Sequence, residues 1–414
     1  MEFAQSCVGV LGLLALAWAI GENRRSVDLR GIAIGLAIQV ALTAILLKAP
    51  WAKAFFQGAG DAVEALQRAT QVGTSFVFGY LGGGPLPFEE TRPGSAFVFA
   101  FRALPLIMVV SALTALLTYW RVLPWIVRAF SSLLERSMKI GGAVGLSTSA
   151  NIFVGMVEAP LFIRPYISKL SRSELFMVMV GGMAGTAGTV LALYASILSP
   201  LVPGAAGHLI AASVLTAPTA IIISRIMIPA TGPETSGRFV PHPDADSAID
   251  AITKGTSDGI ALLINVIGML VVLVALVALL NECLSLLPNI GGAPVTLQGL
   301  CGPLFTPIAW MIGVPWAEAG AAGALLGTKT VLNELLAYLE MMRAPKEALS
   351  DRSRLLMAYA LCGFANFGGL GIMLGGLVAM APERRAEIVG LGGRSLFAGM
   401  LATCLAAAIV GFFV

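Results

Sequence analysis

The chain has 414 residues, of which 57% are hydrophobic and only 12% are charged, and its mean hydropathy is +0.87. This composition excludes a soluble globular protein, because a soluble core cannot enclose so much apolar surface, and it predicts a polytopic membrane protein. The net charge of +3 gives no electrostatic support for nucleic-acid binding. The five cysteines and two histidines lack metal-ligand spacing, so neither a zinc site nor a disulfide framework is indicated.

Two apolar runs come first, at residues 3–20 and 31–47, and each approaches the length that spans a bilayer. Residues 3–20 lack a basic leader and a clean cleavage site, so we interpret them as a retained helix rather than a signal peptide. Arg24, Arg25 and Arg30 lie between the runs. By the positive-inside rule they place this loop in the cytoplasm and the N-terminus outside.

Residues 51–80 mix charged and apolar side chains, which predicts an amphipathic helix along the membrane interface or between subunits. Residues 82–94 are rich in glycine and proline and predict a loop. Residues 97–120 are the third predicted span. A basic group expected in the cytoplasm follows it, consisting of Arg121, Arg128, Arg136 and Lys139.

Residues 139–164 are apolar but interrupted by glycine, serine, threonine and asparagine, and basic residues flank both ends. This pattern predicts a re-entrant helical hairpin with its tip near residues 151–155, where unpaired backbone groups are tolerable only beside a polar cavity. Glu158 follows the tip. An ionisable side chain at membrane depth is a functional-site candidate. The alternative is a carboxylate at the membrane surface, in front of the helix-starting Pro160.

The next predicted span, residues 174–199, contains a run of glycine, alanine and threonine at 181–189. This run is compatible with helix packing through small residues and equally with an unwound turn. Residues 201–229 are predicted to span again. Residues 230–255, which include His242, are predicted as a polar connector, and residues 259–280 as a further crossing.

The second half repeats this plan. Residues 291–338 hold two short apolar pieces and then Asn333 and Glu334 in apolar sequence, and the span at 354–376 contains a second glycine-rich run at 363–371. Three arginines, Arg384, Arg385 and Arg394, are predicted to precede a last span that ends at Val414. Two copies separated by an odd number of crossings insert upside down, which is the build of secondary transporters. The predicted divisions are 1–138 (scaffold helices), 139–229 (first repeat), 230–290 (connector and scaffold helix) and 291–414 (second repeat).

Three segments resemble the hallmark motifs of the concentrative nucleoside transporters. They are Asn151-Ile-Phe-Val-Gly-Met-Val-Glu-Ala-Pro, Asn333-Glu-Leu-Leu-Ala-Tyr and Cys362-Gly-Phe-Ala-Asn-Phe. The resemblance covers nearly the whole chain and implies an all-α polytopic membrane protein with eight transmembrane helices. It also implies two opposed re-entrant helical hairpins, an interfacial helix, an external helix, an inverted repeat and a homotrimer. The implied activity is cation-coupled nucleoside uptake across a bacterial inner membrane by alternating access, and the protein is then not an enzyme.

The resemblance also assigns binding residues by position. Those that would face the nucleobase are Gly155, Met156, Val157, Glu158 and Val190. Those that would face the ribose are Glu334, Asn366 and Gly369, with Phe364 nearby. Because a carboxylate accepts hydroxyl donors and an amide both donates and accepts, sugar recognition is expected to dominate.

This chain departs from the family pattern at both ends of the substrate. Met156 and Val157 stand where many members have hydrogen-bonding side chains, so base preference cannot be inherited, and Gly369 stands where a serine often contacts the ribose. The family's sodium site maps onto Asn151, the Val154 carbonyl, Gly185 and Thr186, and Gly185 offers no hydroxyl. Oxygen ligands favour Na⁺ as the coupling ion, and H⁺ carried by Glu158 or Glu334 is the alternative.

The expected partners are a nucleoside, the coupling cation, the lipid bilayer and further copies of the chain, with no cofactor beyond the ion. Two other functions stay open. A facilitative channel would not accumulate its substrate, and an intramembrane enzyme could use the buried Glu pair for proton transfer. Against the enzyme, the apolar segments contain no Ser/His, Cys/His or HExxH arrangement.

Overall fold

The computed structural model describes residues 2–90, 96–230, 232, 235, 245–289 and 294–414. Within these ranges all regular structure is helical, and nineteen α-helices are present. The predicted loop at 82–94 and the predicted connector at 230–255 are covered only in part. His242 of that connector lies outside the described residues.

The first five helices are α1 (Glu2–Ile20), α2 (Leu29–Lys48), α3 (Ala52–Phe78), α4 (Phe99–Arg102) and α5 (Leu106–Tyr119). The amphipathic helix predicted at 51–80 is present as α3, which leaves large apolar side chains such as Val72 and Phe76 exposed. Near its start α3 lies close to the later helix that contains Gly207. A Cβ built on Gly207 would overlap the ring of Phe56, so the glycine permits this approach.

The basic residues between 121 and 139 belong largely to a helix, α6 (Val122–Met138), which the sequence interpretation did not include. Its apolar face is buried through Val127 and Leu134, while Arg128 and Arg136 point outward. The spacing of these residues is that of an amphipathic helix with one packed face. The next helix packs against α6.

The segment predicted as the first hairpin contains α7 (Gly142–Ala150), α8 (Glu158–Leu161) and α9 (Arg164–Ile167). Residues 151–157 are non-helical, so the chain breaks where the tip was predicted.

The next span is interrupted as well. A capping box opens α10 (Arg172–Ala184), with the Ser171 hydroxyl accepting from the Glu174 N–H at 3.2 Å. Residues 185–187 are then extended before α11 (Gly188–Leu198), so the interpretation of this run as an unwound turn is confirmed.

Two long helices follow, α12 (Ala205–Met227) and α13 (Ala248–Ser285). The predicted polar connector is wrong in its last part, because α13 begins at Ala248, where Ser247 accepts from the Asp250 N–H at 3.1 Å. At the α-helical rise, its 38 residues extend about 57 Å, well beyond the thickness of a hydrocarbon core. It packs mainly on α5 and exposes apolar side chains along its length.

The second half contains α14 (Leu297–Ile312), α15 (Trp316–Val331), α16 (Glu334–Arg343), α17 (Asp351–Leu361), α18 (Phe367–Met380) and α19 (Arg385–Val410). The two apolar pieces predicted after residue 291 are full helices, α14 and α15, which meet at a bend of 117°. The last predicted span begins earlier than expected, since Arg394 lies inside α19.

Among the described residues, seven helical segments are long and apolar enough to cross a membrane, or up to eight if the bent pair α14 and α15 counts as one. Helices α10, α12 and α19 pack on one another and form the centre of the molecule. The buried charged side chains of the described residues are Glu174, Lys329, Glu334 and Arg354. The chain is therefore an all-helical polytopic membrane protein whose core contains charge.

Candidate functional site

Two helix breaks, one from each half of the chain, touch at the centre of the protein. The first separates α10 from α11 and the second separates α17 from α18. The Phe364 N–H donates to the Gly185 carbonyl at 3.1 Å, and the Thr186 hydroxyl lies 3.3 Å from Sγ of Cys362. Each break thus satisfies polar groups that the other leaves free, as unwound backbone at membrane depth requires.

Glu334 lies beside these breaks as the first residue of α16, and its side chain is buried. Asn333 caps the helix by accepting from the Leu336 N–H at 2.9 Å. Oε1 of Glu334 accepts from the Tyr194 hydroxyl at 2.5 Å, and Oε2 accepts from Nδ2 of Asn366 at 2.9 Å. A carboxylate at a helix N-terminus is favoured by the helix dipole. The structure therefore fixes both oxygens of a buried acid.

Asn366 uses both ends of its amide. While Nδ2 donates to Glu334, Oδ1 accepts from the Gly369 N–H at 2.6 Å and caps α18. Gly369 is buried, and a Cβ built on it would lie 2.5 Å from the Phe364 carbonyl oxygen, so a serine does not fit there without a shift. Phe364 is half-buried. The residues assigned to the ribose thus come together around Glu334.

The residues assigned to the nucleobase are placed less uniformly. Met156 and Val190 are buried, whereas Gly155 and Val157 are half-buried. Cε of Met156 lies 3.5 Å from the position that a Cβ on Gly369 would take. The tip of the first hairpin segment therefore approaches Gly369, one of the residues assigned to the ribose, through the side chain of Met156.

Glu158 is exposed, whereas Glu334 is buried. Among the described residues it forms no hydrogen bond or ion pair, and in particular none joins it to Glu334. It begins the one-turn helix α8, and its carboxylate turns back toward Gly155.

Of the residues assigned to the coupling ion, Asn151 and Gly185 are in contact. Nδ2 of Asn151 donates to the Gly181 carbonyl at 2.6 Å, and a Cβ on Gly185 would overlap that amide nitrogen. Oδ1 of Asn151 has no partner. The Val154 carbonyl accepts no hydrogen bond from the described residues, whereas the Thr186 hydroxyl is directed at Cys362.

A small cavity lies beside Asn151, with space of about 10 Å³, roughly what one water molecule or one small cation requires. Its lining residues are Thr148, Asn151, Ile152, Gly181, Gly185, Ser213, Thr216 and Ala217. The hydroxyl of Thr148 is buried without a partner, as is Oδ1 of Asn151.

The sequence interpretation did not include Thr148, Ser213 or Thr216, and it did not include Tyr194. A hydroxyl inside an apolar span was the available signal for each of them. That signal is weak, because such a hydroxyl often bonds its own helix.

Three protein-family descriptions match the chain. "Na+ dependent nucleoside transporter N-terminus" matches residues 8–81, "Nucleoside recognition" matches residues 100–201, and "Na+ dependent nucleoside transporter C-terminus" matches residues 208–411. Together they cover both helix breaks and the three hydrogen-bonded residues Tyr194, Glu334 and Asn366.

Individual proteins are similar over the whole chain. The nucleoside permease NupC of Helicobacter pylori is 34% identical over 99% of this chain and 97% of its own length. An uncharacterized transporter of Haemophilus influenzae is 37% identical over 100% of this chain and 98% of its own. The sodium/nucleoside cotransporter 1 of Mus musculus is 32% identical over 98% of this chain, which spans 63% of that longer protein.

Solved structures agree with these matches. CNTnw in an inward-facing, substrate-bound state is similar with a TM-score of 0.90 at 37% identity, over 100% of this chain and 99% of that one. A variant of CNTnw in an outward-facing state is similar with a TM-score of 0.91 at 36% identity, over 100% and 98%. The matching proteins are transporters rather than enzymes. The chain belongs to the concentrative nucleoside transporter family.

Proposed function

We propose that the protein is a secondary active transporter that takes up nucleosides, driven by a cation gradient, with Na⁺ favoured over H⁺. The observation that carries this proposal is the buried Glu334 carboxylate, whose two oxygens are held by Tyr194 and Asn366. Each ionised oxygen can accept a second hydrogen bond, and an amide beside it supplies donors and acceptors. This arrangement suits the vicinal hydroxyls of a ribose.

The apolar surroundings strengthen this recognition. Charged hydrogen bonds are stronger than neutral ones, and a buried polar site that loses its partner is destabilised. A nucleoside without the matching hydroxyl groups would leave the Glu334 oxygens and the Asn366 amide without their additional hydrogen-bond partners. The protein is therefore expected to select the sugar more strictly than the base.

The cation is proposed to bind beside Asn151. Oδ1 of Asn151 and the Val154 carbonyl are free acceptors, and the unpartnered hydroxyl of Thr148 lies in the same polar region. Hard cations take such oxygen ligands. Gly185 contributes room for the Asn151 amide rather than a ligand. Thr186 remains a proposed member of the site through its position in the break.

The proposed architecture is an inverted repeat, which is supported by the similar order of helices in the two halves of the chain. Residues 139–229 and 291–414 each contain an interrupted hairpin segment, a broken span and a long helix, and we assign them as inverted repeats with opposed re-entrant hairpins. Residues 1–138 and 230–290 would form the scaffold, with the exposed apolar face of α13 available for lipid or for a homotrimer contact. The N-terminus is assigned to the outside of the bacterial inner membrane, and the count of spanning helices to eight.

Alternating access is the proposed transport cycle. CNTnw has inward-facing and outward-facing structures, and this chain is similar to both. Ion binding beside Asn151 would order residues 151–157 and so raise nucleoside affinity. The nucleoside must then raise ion affinity by the same factor.

The experiment that tests this proposal is uptake of labelled nucleosides by purified protein in proteoliposomes, with Na⁺ and H⁺ gradients imposed separately. Accumulation above the external concentration under a Na⁺ gradient alone is the expected result. Accumulation only under a proton gradient would replace Na⁺ by H⁺ as the driving ion. Equilibration without accumulation under either gradient would contradict active transport.

A further inference from the structure

Lys329 is a fully buried cation with a relative exposure of 0%. Its Nζ donates to the Ala360 carbonyl at 2.8 Å and to the Thr403 hydroxyl at 3.1 Å. It forms no ion pair with the described residues. Its direct hydrogen-bond partners are neutral, and the buried Glu334 carboxylate acts on it electrostatically without direct pairing. A buried ammonium without an ion pair is unfavourable unless the protein needs it, so its presence in the core indicates a function.

The partners of Lys329 are oxygens of the kind that bind metal cations. Ala360 lies in the last turn of α17, where free carbonyls carry the negative end of the helix dipole. Thr403 adds a hydroxyl from α19. A carbonyl and a hydroxyl are also ligands that a hard cation prefers. The ammonium of Lys329 therefore occupies a cation site within the second half of the chain.

The first half has a comparable arrangement without a lysine. Thr148 precedes the end of α7 by two residues, as Lys329 precedes the end of α15 by two. The cavity beside Thr148 is bounded by Gly181, near the end of α10, and by hydroxyls of α12 at Ser213 and Thr216. In the first half, α7 thus faces the end of α10 and hydroxyl groups of α12. In the second half, α15 likewise faces the end of α17 and a hydroxyl group of α19.

We infer that the Lys329 ammonium is a built-in cation. It occupies a position in the second half of the chain that corresponds to the position proposed for the exchangeable cation in the first half. This inference rests on the function proposed above. It predicts that the protein couples one cation, and not two, to each nucleoside. Lys329 acts as a positioning residue, because it holds the end of α17 through the Ala360 carbonyl. The break that follows α17 contains Phe364, whose carbonyl accepts from the Asn366 N–H, and Asn366 in turn donates to Glu334.

The direct test replaces Lys329 with methionine, which is similar in length and uncharged. Nucleoside affinity is measured by calorimetry at fixed Na⁺, and thermal unfolding is measured without nucleoside. Methionine removes the cost of burying the ammonium, while the Ala360 carbonyl and the Thr403 hydroxyl lose a donor, so the unfolding temperature is expected to stay close to that of the wild type. The nucleoside Kd is expected to rise at least about tenfold, a loss of roughly 1.4 kcal/mol.

Thr330→Val is the matched control, because the Thr330 hydroxyl bonds mainly to the Leu326 carbonyl of its own helix. Its nucleoside Kd should stay within about twofold of wild type, a difference under 0.5 kcal/mol. A folded Lys329→Met protein with an equally small change would overturn the inference.

The cation-to-nucleoside ratio of the wild-type protein gives a second test that needs no variant. It is measured from the membrane potential at which uptake into proteoliposomes reverses. A ratio of one supports the inference, and a ratio of two overturns it. Failure of the proposed function would look different, because the wild-type protein would then accumulate no nucleoside under any gradient.

Discussion

The hydroxyl of Tyr194 donates a hydrogen bond of 2.5 Å to Oε1 of Glu334. Tyr194 belongs to α11 in the first half of the chain and Glu334 to α16 in the second, so this bond joins the two halves. The Tyr194 ring also packs against Tyr338, with 5.3 Å between ring centroids. The position of the buried carboxylate therefore depends on both halves at once.

Removing this hydroxyl should weaken nucleoside binding. Tyr194→Phe deletes a hydrogen bond to a charged group, worth about 1.5–3 kcal/mol, so the nucleoside Kd measured by calorimetry should rise roughly tenfold or more. Tyr359→Phe is the control, since that hydroxyl pairs with Nδ1 of His208 at 2.9 Å instead. Equal affinities for the two variants would show that Tyr194 does not position Glu334.

Two substitutions of Asn366 should separate helix capping from substrate binding. Asn366→Asp keeps an oxygen that can accept from the Gly369 N–H, but it loses the donor to Glu334 and adds a like charge. Asn366→Ala loses the cap as well, which costs about 0.5–2 kcal/mol of stability. We expect both variants to lose nucleoside binding. In thermal unfolding at low pH, where protonation removes the added like charge of the aspartate variant, only Asn366→Ala should unfold at a lower temperature because it has lost the cap. Retained nucleoside binding by the aspartate variant would contradict the assigned role.

The Thr148 hydroxyl should contribute to ion binding at the expense of stability. Thr148→Val removes a buried polar group that has no partner, so the free energy of unfolding should rise by about 1 kcal/mol in the ion-free protein. The Na⁺ concentration for half-maximal uptake should increase at the same time. Thr219→Val is the control, because the Thr219 hydroxyl bonds carbonyls of its own helix. An unchanged Na⁺ response in Thr148→Val would remove that hydroxyl from the site.

Discrimination among nucleobases should be weak. Met156 and Val157, which are proposed to face the base, offer it apolar surface, and apolar pockets reject a competing polar group only modestly. In competition assays of uptake, purine and pyrimidine ribosides should therefore differ by less than about 100-fold, whereas loss of a ribose hydroxyl should have the larger effect. Met156→Gln should sharpen the base preference without changing the sugar preference. A wild-type protein that rejects one base class completely would contradict this view.

The sequence predicted the helix breaks well, because their signals are local. Glycine runs in apolar spans identify both broken helices, and Asn366 stands where a cap is needed. Helix α6 was missed for the opposite reason. Its arginines belong to the outer face of a packed helix, and positive charge alone does not distinguish that face from a loop.

The sequence predicted the site only in part, because burial and pairing arise from distant elements. Glu334 and Asn366 were expected together and lie together, but Tyr194 joins them from a helix 140 residues away in sequence. Glu158 lies in a comparable apolar motif and is nevertheless exposed, although Ala159 and Pro160 of the same short helix are buried. Lys329 did carry a readable signal, a lysine inside an apolar helix, and its oxygen partners became visible only in the folded chain.

The most direct test of the account is nucleoside uptake by Glu334→Gln in proteoliposomes, compared with wild type at equal amounts of protein. Glutamine keeps the shape of the side chain and removes the charge that accepts hydrogen bonds from Tyr194 and Asn366 and is proposed to accept them from the ribose. We expect uptake to fall at least about 100-fold, consistent with the loss of charged hydrogen bonds of 1.5–3 kcal/mol each, while oligomeric state and thermal unfolding remain close to wild type. Uptake at the wild-type rate by this variant would contradict the placement of Glu334 at the centre of the site.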